Sequence, residues 1–266
     1  MPIHPTAVVD PRAELDSSVV VGPYAVIEGQ VRIGADCEIG AHAVVSGTTT
    51  LGCRNVIGSF ASIGAPPQDI HYRGEPTELI VGDDNQIREY ASIHRGTVSG
   101  RGRTVLGNRN MLMAYTHVAH DCILGSNIIM ANVATLGGHV EVGDNAGLGG
   151  LVAIHQYCRV GRFTHIGGLS GINMDVPPFV LLSGTRNQMR ISGLNKVGLR
   201  RSGMRRETYS QLEQAYRIIF RTSELLLVDA LARTLDEIPD CSEVQHLVEF
   251  FRNSGKRGVV RRTEDD

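Results

Sequence analysis

The chain has little excess of charge: its 266 residues carry 26 lysines and arginines against 28 aspartates and glutamates. That balance removes the electrostatic case for nucleic-acid binding. No run of 18 apolar residues occurs, and the first residues form neither the basic nor the apolar region of a secretion signal. A soluble, cytoplasmic protein without a transmembrane segment is expected. There are only five cysteines, and Cys37, Cys122 and Cys158 fall where small apolar residues recur, so they read as compact core fillers. A disulfide framework and a cysteine metal site drop out. Missing too are a serine in a nucleophile-elbow setting and a glycine-rich phosphate loop opening a helix.

What is present is a period of six. An aliphatic residue recurs at every sixth position from Val9 through Leu15, Val21, Ile27, Ile33, Ile39, Val45, Leu51 and Ile57 to Ile63, again at Val81, Ile87 and Ile93, and from Leu106 to Ile172. Neither the helical nor the strand period predicts that spacing. The next residue is often glycine, as at Gly22, Gly34, Gly58 and Gly125, and the fifth position is small or β-branched, as at Ala25, Ala43, Ala61 and Thr116. An inward aliphatic, a bulk-free neighbour and a small residue near a bend describe one side of a prism-shaped parallel β-helix. Three sides make a coil of 18 residues. At about 4.8 Å per coil, some eight coils would stand on the order of 40 Å tall.

Two segments break the period: a proline-bracketed excursion over 65–79 and a short one rich in glycine and arginine over 99–104. Interruptions of a solenoid tend to carry function. The pattern ends at Asp175-Val176-Pro177-Pro178, where two prolines that cannot donate to a ladder should stop the coil. Helical spacing follows in Arg205 to Phe220, Leu225 to Leu235 and a segment opened by Ser242. The domains are therefore set at 1–184 for the β-helix and 185–266 for an α-helical unit. Arg186, Arg190, Lys196, Arg200, Arg201, Arg205 and Arg206 form a basic cluster, either a solvated face or a seat for phosphates or an acidic protein.

Histidines are the candidate chemical groups. Of the ten, His120, His139 and His155 are separated by 19 and 16 residues, close to one coil, which predicts three imidazoles stacked along one edge of the prism. His117 and Asp121 flank His120. A histidine general base acting on a bound hydroxyl is the simplest mechanism these residues allow.

The motifs Ile93-His94-Arg95-Gly96-Thr97, Ala114-Tyr115-Thr116-His117-Val118-Ala119-His120-Asp121-Cys122 and Ala153-Ile154-His155-Gln156-Tyr157-Cys158 are specific. So are Gln68-Asp69 with Gly74-Glu75-Pro76-Thr77, Asp175-Val176-Pro177-Pro178, Gly198-Leu199-Arg200-Arg201 and Phe250-Phe251-Arg252. Over nearly the whole chain they resemble the UDP-N-acetylglucosamine 3-O-acyltransferases of lipid A biosynthesis. The resemblance implies a homotrimer of left-handed parallel β-helices with α-helical C-terminal regions, in the cytoplasm of a Gram-negative-type bacterium or a related lineage. An R-3-hydroxyacyl group would pass from acyl carrier protein to the 3-hydroxyl of UDP-N-acetylglucosamine, in a cleft between subunits. It implies His120 as base, Asp121 as its orienting partner and the Gly138 amide as oxyanion donor. Asp69, His71, His94, His117, His139, His155, Gln156, Asn195 and Arg201 would contact substrates, and Arg200, Arg205 and Arg206 the acidic carrier. No cofactor is implied beyond the phosphopantetheine that arrives with the carrier, and no metal.

Departures from the family pattern are His71 in place of a lysine, Val197 and Ser202 in place of a glutamate and an arginine, and two extra residues between Gly184 and Asn195. They bear on nucleotide recognition and leave open a 3-amino sugar acceptor. Gly168 occupies a position where a bulky residue shortens the acyl groove. It implies a chain of about fourteen carbons if each buried methylene adds about 0.8 kcal/mol. Rival readings are another hexapeptide-repeat acyltransferase, a γ-carbonic-anhydrase-like zinc enzyme and a silent scaffold. The zinc enzymes carry a histidine pair five residues apart that His117 and His120 do not form.

Overall fold

A six-residue repeat leaves room for strands of only two or three residues between corners. The computed structural model describes residues 3–222, 224–261 and 263. In it the repeat closes into a left-handed prism with three faces whose strands run parallel, apart from the last strand of the third. The first has nine strands, from Val8–Val9 to Gly171–Ile172; the second has eight, from Glu14–Leu15 to Arg159–Val160; the third has ten, from Val20–Val21 to Arg190–Leu194. Inward aliphatics of one coil stand on those of the next, Val118 on Leu136, Leu124 on Val142 and Leu112 on Met130. Strands this short carry little of the twist that makes long parallel crossovers right-handed, so that rule has little hold here.

The hexad's grammar has direct structural causes. Ile27, Ile57, Ile63, Leu112 and Leu124 are fully buried along the axis, with Ala25, Ala43, Ala61, Ala91 and Ala134 beside them near the bends. Cys37, Cys122 and Cys158 are buried free thiols at the same position, and burial pushes Cys122 and Cys158 up to about 12. The glycine after the aliphatic lies close to the next coil; a Cβ on Gly58 would sit 2.5 Å from the Glu89 nitrogen. At each bend one residue adopts the left-handed conformation, as at Tyr24 (φ 58°), Asp121 (φ 60°), His139 (φ 63°) and Val133 (φ 65°). For β-branched Val133 that backbone is strained.

The three corners differ in chemistry. Between the third and first faces, Tyr24, His42, Phe60, Tyr90 and Tyr115 stack in sequence at centroid distances of 5.1, 4.8, 5.2 and 4.8 Å. Val133, Leu151 and Leu169 continue that exposed apolar edge. The corner between second and third faces is polar, with Arg54 paired to Asp84 and Arg109 bonded to Asn127. Both excursions leave from the corner between first and second faces: one joins Ser62–Ala65 to Glu78–Val81, the other Ser92–His94 to Arg103–Leu106. Register survives them, since Ile63 pairs with Ile93 and Ile93 with Val118.

Pro177 and Pro178 do not stop the prism as expected. Val180–Ser183, beyond them, pairs in parallel with His165–Ile166, and Arg190–Leu194 folds back antiparallel on it. The prolines lie in the turn before this strand, where no ladder donor is needed. The helices are α1 (Lys196–Arg201), which the periodicity did not predict, α2 (Arg206–Tyr216), α3 (Leu227–Glu237) and α4 (Ser242–Arg252). The helix expected to run to Phe220 widens into a π-turn over Arg217–Arg221, where Ile218, Ile219 and Phe220 are all buried, more than one straight helical face accommodates. Arg261 donates to the freed Ile219 carbonyl at 2.8 Å. Among the described residues no helix is long and apolar enough to cross a membrane.

Leu112 is wholly buried mid-column. Leu112→Ala should therefore cost about 2–5 kcal/mol in chemical denaturation, while Ile123→Ala on the outer surface should cost about 1 kcal/mol or less. Equal losses would contradict this division between core and surface.

Candidate active site

The corner between first and second faces gathers most of the imidazoles. His120 follows the inward Val118, and its Nδ1 lies 2.8 Å from Oδ2 of Asp121. Asp121 is fully buried, His120 still partly exposed. The carboxylate also accepts from the Thr97 hydroxyl at 2.6 Å, the Thr97 amide at 3.1 Å and the Arg101 amide at 2.7 Å. Burial works to raise the Asp121 carboxyl, but these donors outweigh it and hold it below the ordinary carboxylate range.

Around the pair burial works against the charged form of His94, His117 and His139. Burial first, then His117, His120 and Arg95, push His94 down to about 4, and its buried Nδ1 has no hydrogen-bond partner among the described residues. His117 is lowered by burial and by His120, and its Nδ1 meets Ser92 Oγ at 2.7 Å. His139 is lowered chiefly by burial, against the opposing charges of Asp121 and Asp69. Asp69 is thus close enough to act on His139, and the His71 amide donates to the Asp69 carboxylate at 2.9 Å. The longer excursion therefore brings both residues to this corner.

Gly138 lies under His120: a Cβ there would fall 2.6 Å from Cε1 and 2.8 Å from Nε2 of the imidazole. Among the described residues nothing accepts the Gly138 N–H. His120 Nε2 and a free amide thus adjoin the same space. The predicted line of three histidines is half right. His139 meets His120 edge-on at 5.2 Å, but the ring stacked on His139, at 4.3 Å, is Tyr157. His155 is exposed and turns its Nδ1 to the Gln156 carbonyl. A full coil is 18 residues, so Tyr157 stands over His139, while His155 stands over Gly137. Gln156, in register with Gly138, is exposed at the same corner. Ligand atoms of His120, Asp121 and His139 lie within 4.8 Å of one another, a spacing that would admit a cation. The carboxylate's lone pairs, however, are committed to donors, and the arrangement favours proton transfer.

Asn195 and Arg201 lie elsewhere. They line a groove of about 810 Å³ on the third face, with Asn145, Phe163, His165 and Leu181, and no residue of the histidine corner borders it. The Asn195 side chain caps α1, accepting from the Gly198 amide at 3.0 Å and donating to the Phe163 carbonyl at 2.8 Å. Val197 is exposed in the groove, and Ser202 turns its hydroxyl to the Leu199 carbonyl. Arg200, Arg205 and Arg206 are exposed nearby in sequence, and Gly168 is exposed on the apolar edge, where a Cβ would meet the Gly150 oxygen at 3.1 Å.

Residues 175–260 match the model of the second domain of UDP-N-acetylglucosamine O-acyltransferases, and residues 12–47 that of bacterial transferase hexapeptide repeats. The acyl-[acyl-carrier-protein]–UDP-N-acetylglucosamine O-acyltransferase of Alkalilimnicola ehrlichii is 57% identical over 97% of this chain and 99% of its own. The chain belongs to this acyltransferase family. The same-named protein of Halorhodospira halophila is 49% identical over 97% of this chain and 99% of its own. The solved UDP-N-acetylglucosamine O-acyltransferase of Moraxella catarrhalis superposes with a TM-score of 0.94 at 42% identity, covering 98% of this chain and all of that one.

The sequence motifs contain Thr97 and Tyr157 but assign no role to them or to Arg101. Counting one full coil from His139 would have found Tyr157; Thr97 and Arg101 sit in or beside an excursion, outside any register. Gly138→Ala should push the His120 ring off Asp121 while leaving the backbone in place. We expect kcat/KM to fall about tenfold or more with Tm within a few degrees of wild type; unchanged kinetics would show that the ring does not depend on the space over Gly138.

Proposed function

We propose that the protein transfers an R-3-hydroxyacyl group from the phosphopantetheine thioester of acyl carrier protein to the 3-hydroxyl of UDP-N-acetylglucosamine, in the cytoplasm, as the first step of lipid A biosynthesis. The relatives' names supply the two substrates; the observation that carries the mechanism is His120, bonded through Nδ1 to an ionised Asp121 with Nε2 beside the free Gly138 amide. Nε2 takes the proton of the sugar hydroxyl as its oxygen attacks the thioester carbonyl. The Gly138 N–H receives the resulting oxyanion. Collapse breaks the carbon–sulfur bond, and the imidazolium returns its proton to the leaving thiolate. Phosphopantetheine enters only as part of the donor.

His94, His117, His139, Gln156 and Asp69 line the acceptor's approach, with His71 and His155 at its margin. Asn195 and Arg201 belong to the same site through a neighbouring subunit, since one chain leaves their groove apart from His120. The exposed edge from Tyr24 to Leu169 gives a homotrimer a surface to bury. Gly168 leaves room for a long acyl chain, and the exposed Arg200, Arg205 and Arg206 face the acidic carrier.

His120→Ala should keep its fold and lose about 10² or more in kcat, with Asp121→Asn losing less. Activity within about threefold of wild type in the alanine variant would assign the base elsewhere. Mixing inactive His120→Ala with inactive Arg201→Ala chains should restore roughly a quarter of the sites under random exchange, if each site draws on two subunits. No recovery after verified exchange would place both residues in one chain's site.

A further inference from the structure

The shorter excursion is wound around one side chain. Thr97 gives Asp121 both its amide and its hydroxyl, Arg101 adds a third donor, and the Arg101 guanidinium reaches the Asp121 carbonyl at 2.6 Å and pairs with Glu141. The Thr104 hydroxyl accepts from the Asp121 amide at 2.8 Å. The turn is closed by the Gly100 and Gly102 amides on the Thr97 carbonyl. Gly100 comes so close that a Cβ there would lie 2.5 Å from the carboxylate. A loop that served only to rejoin two strands would need none of these contacts with a buried carboxylate.

We propose that the 97–101 turn is a positioning device for the reaction, with Thr97 as its principal residue. It fixes both carboxylate oxygens, so that Asp121 presents Oδ2 to His120 Nδ1 and leaves Nε2 as the basic nitrogen. This rests on His120 being the base. Without the turn a buried carboxylate would be short of donors and free to rotate away from the imidazole, or to take up a proton. With it, the His120 tautomer and ring orientation are set before substrate arrives. The other charged or titratable groups facing the pair are His94 and His117 from the first face, His139 from the next coil, Asp69 from the longer excursion, and Arg101 with Glu141 behind it.

Thr97→Val keeps the side chain's shape and removes only the hydroxyl donor. Its kcat should fall about tenfold, less than the loss of the base itself, with both KM values within about twofold. The carboxylate, short of a donor, becomes more basic and holds the His120 proton more tightly, so the acid limb of the pH–rate profile should move to higher pH. Thr97→Ser should restore both rate and profile. Combined with Asp121→Asn, Thr97→Val should cost nothing more, because the group it acts through is gone. If Thr97→Val does not fold, Thr97→Ala carries the same comparison. A wild-type rate and pH profile in the hydroxyl-free variant, alongside an inactive His120→Ala, overturns the positioning role and leaves the base assignment standing. Additive losses with Asp121→Asn overturn it as well. An active His120→Ala overturns both readings together.

Discussion

Neighbouring coils are joined by N–H to C=O bonds that repeat at a fixed offset wherever the coils are uninterrupted, from Val8 to Ala25 and Asp10 to Ile27 at one end to Ala153 to Ser170 and His155 to Ile172 at the other. Because side chains alternate between inside and outside, a slip of one residue on any face would turn its aliphatics out to solvent. Everything else in the molecule accommodates this register. Extra residues enter only at corners, where the ladder is interrupted anyway, and both excursions re-enter with Ile93 and Val118 in line.

That constraint also explains where the chemistry sits. A face offers outward side chains on a flat, evenly spaced surface; a corner projects its left-handed residue and lets adjacent coils bring such residues ring to ring. Asp121, His139 and Tyr157 are successive occupants of one corner position, and His120 lies beside them over Gly138. Burial disfavours the charged form of His94, His117 and His139, which eases the crowding of imidazoles at this corner. Among the described residues of this corner, only the His120 imidazole has a carboxylate within hydrogen-bond distance, the Asp121 Oδ2 at 2.8 Å against 3.8 Å from His139.

The remaining corners serve other ends. A ladder of aromatic and aliphatic residues along a solvent-facing edge is costly for an isolated chain, and the polar corner opposite, with its Arg54–Asp84 pair, is suited to water. The groove holding Asn195 and Arg201 opens on the third face, which adjoins the apolar edge.

By itself the sequence determined the prism, its three-sided coil, the small fillers including Cys37, Cys122 and Cys158, and the identity of the His120–Asp121 pair. All of these follow from a strict period or from neighbours in the chain. It also placed the helix opened by Ser242, whose apolar spacing is regular. Only the tertiary structure decided that Tyr157 rather than His155 covers His139, because a near-miss in register separates stacked rings from unrelated ones. It alone showed the strand beyond Pro178, the short helix capped by Asn195, and the turn in which Thr97 and Arg101 close on Asp121. These depend on contacts between segments whose spacing obeys no period, and a local pattern carries no information about which distant donor a buried carboxylate will find.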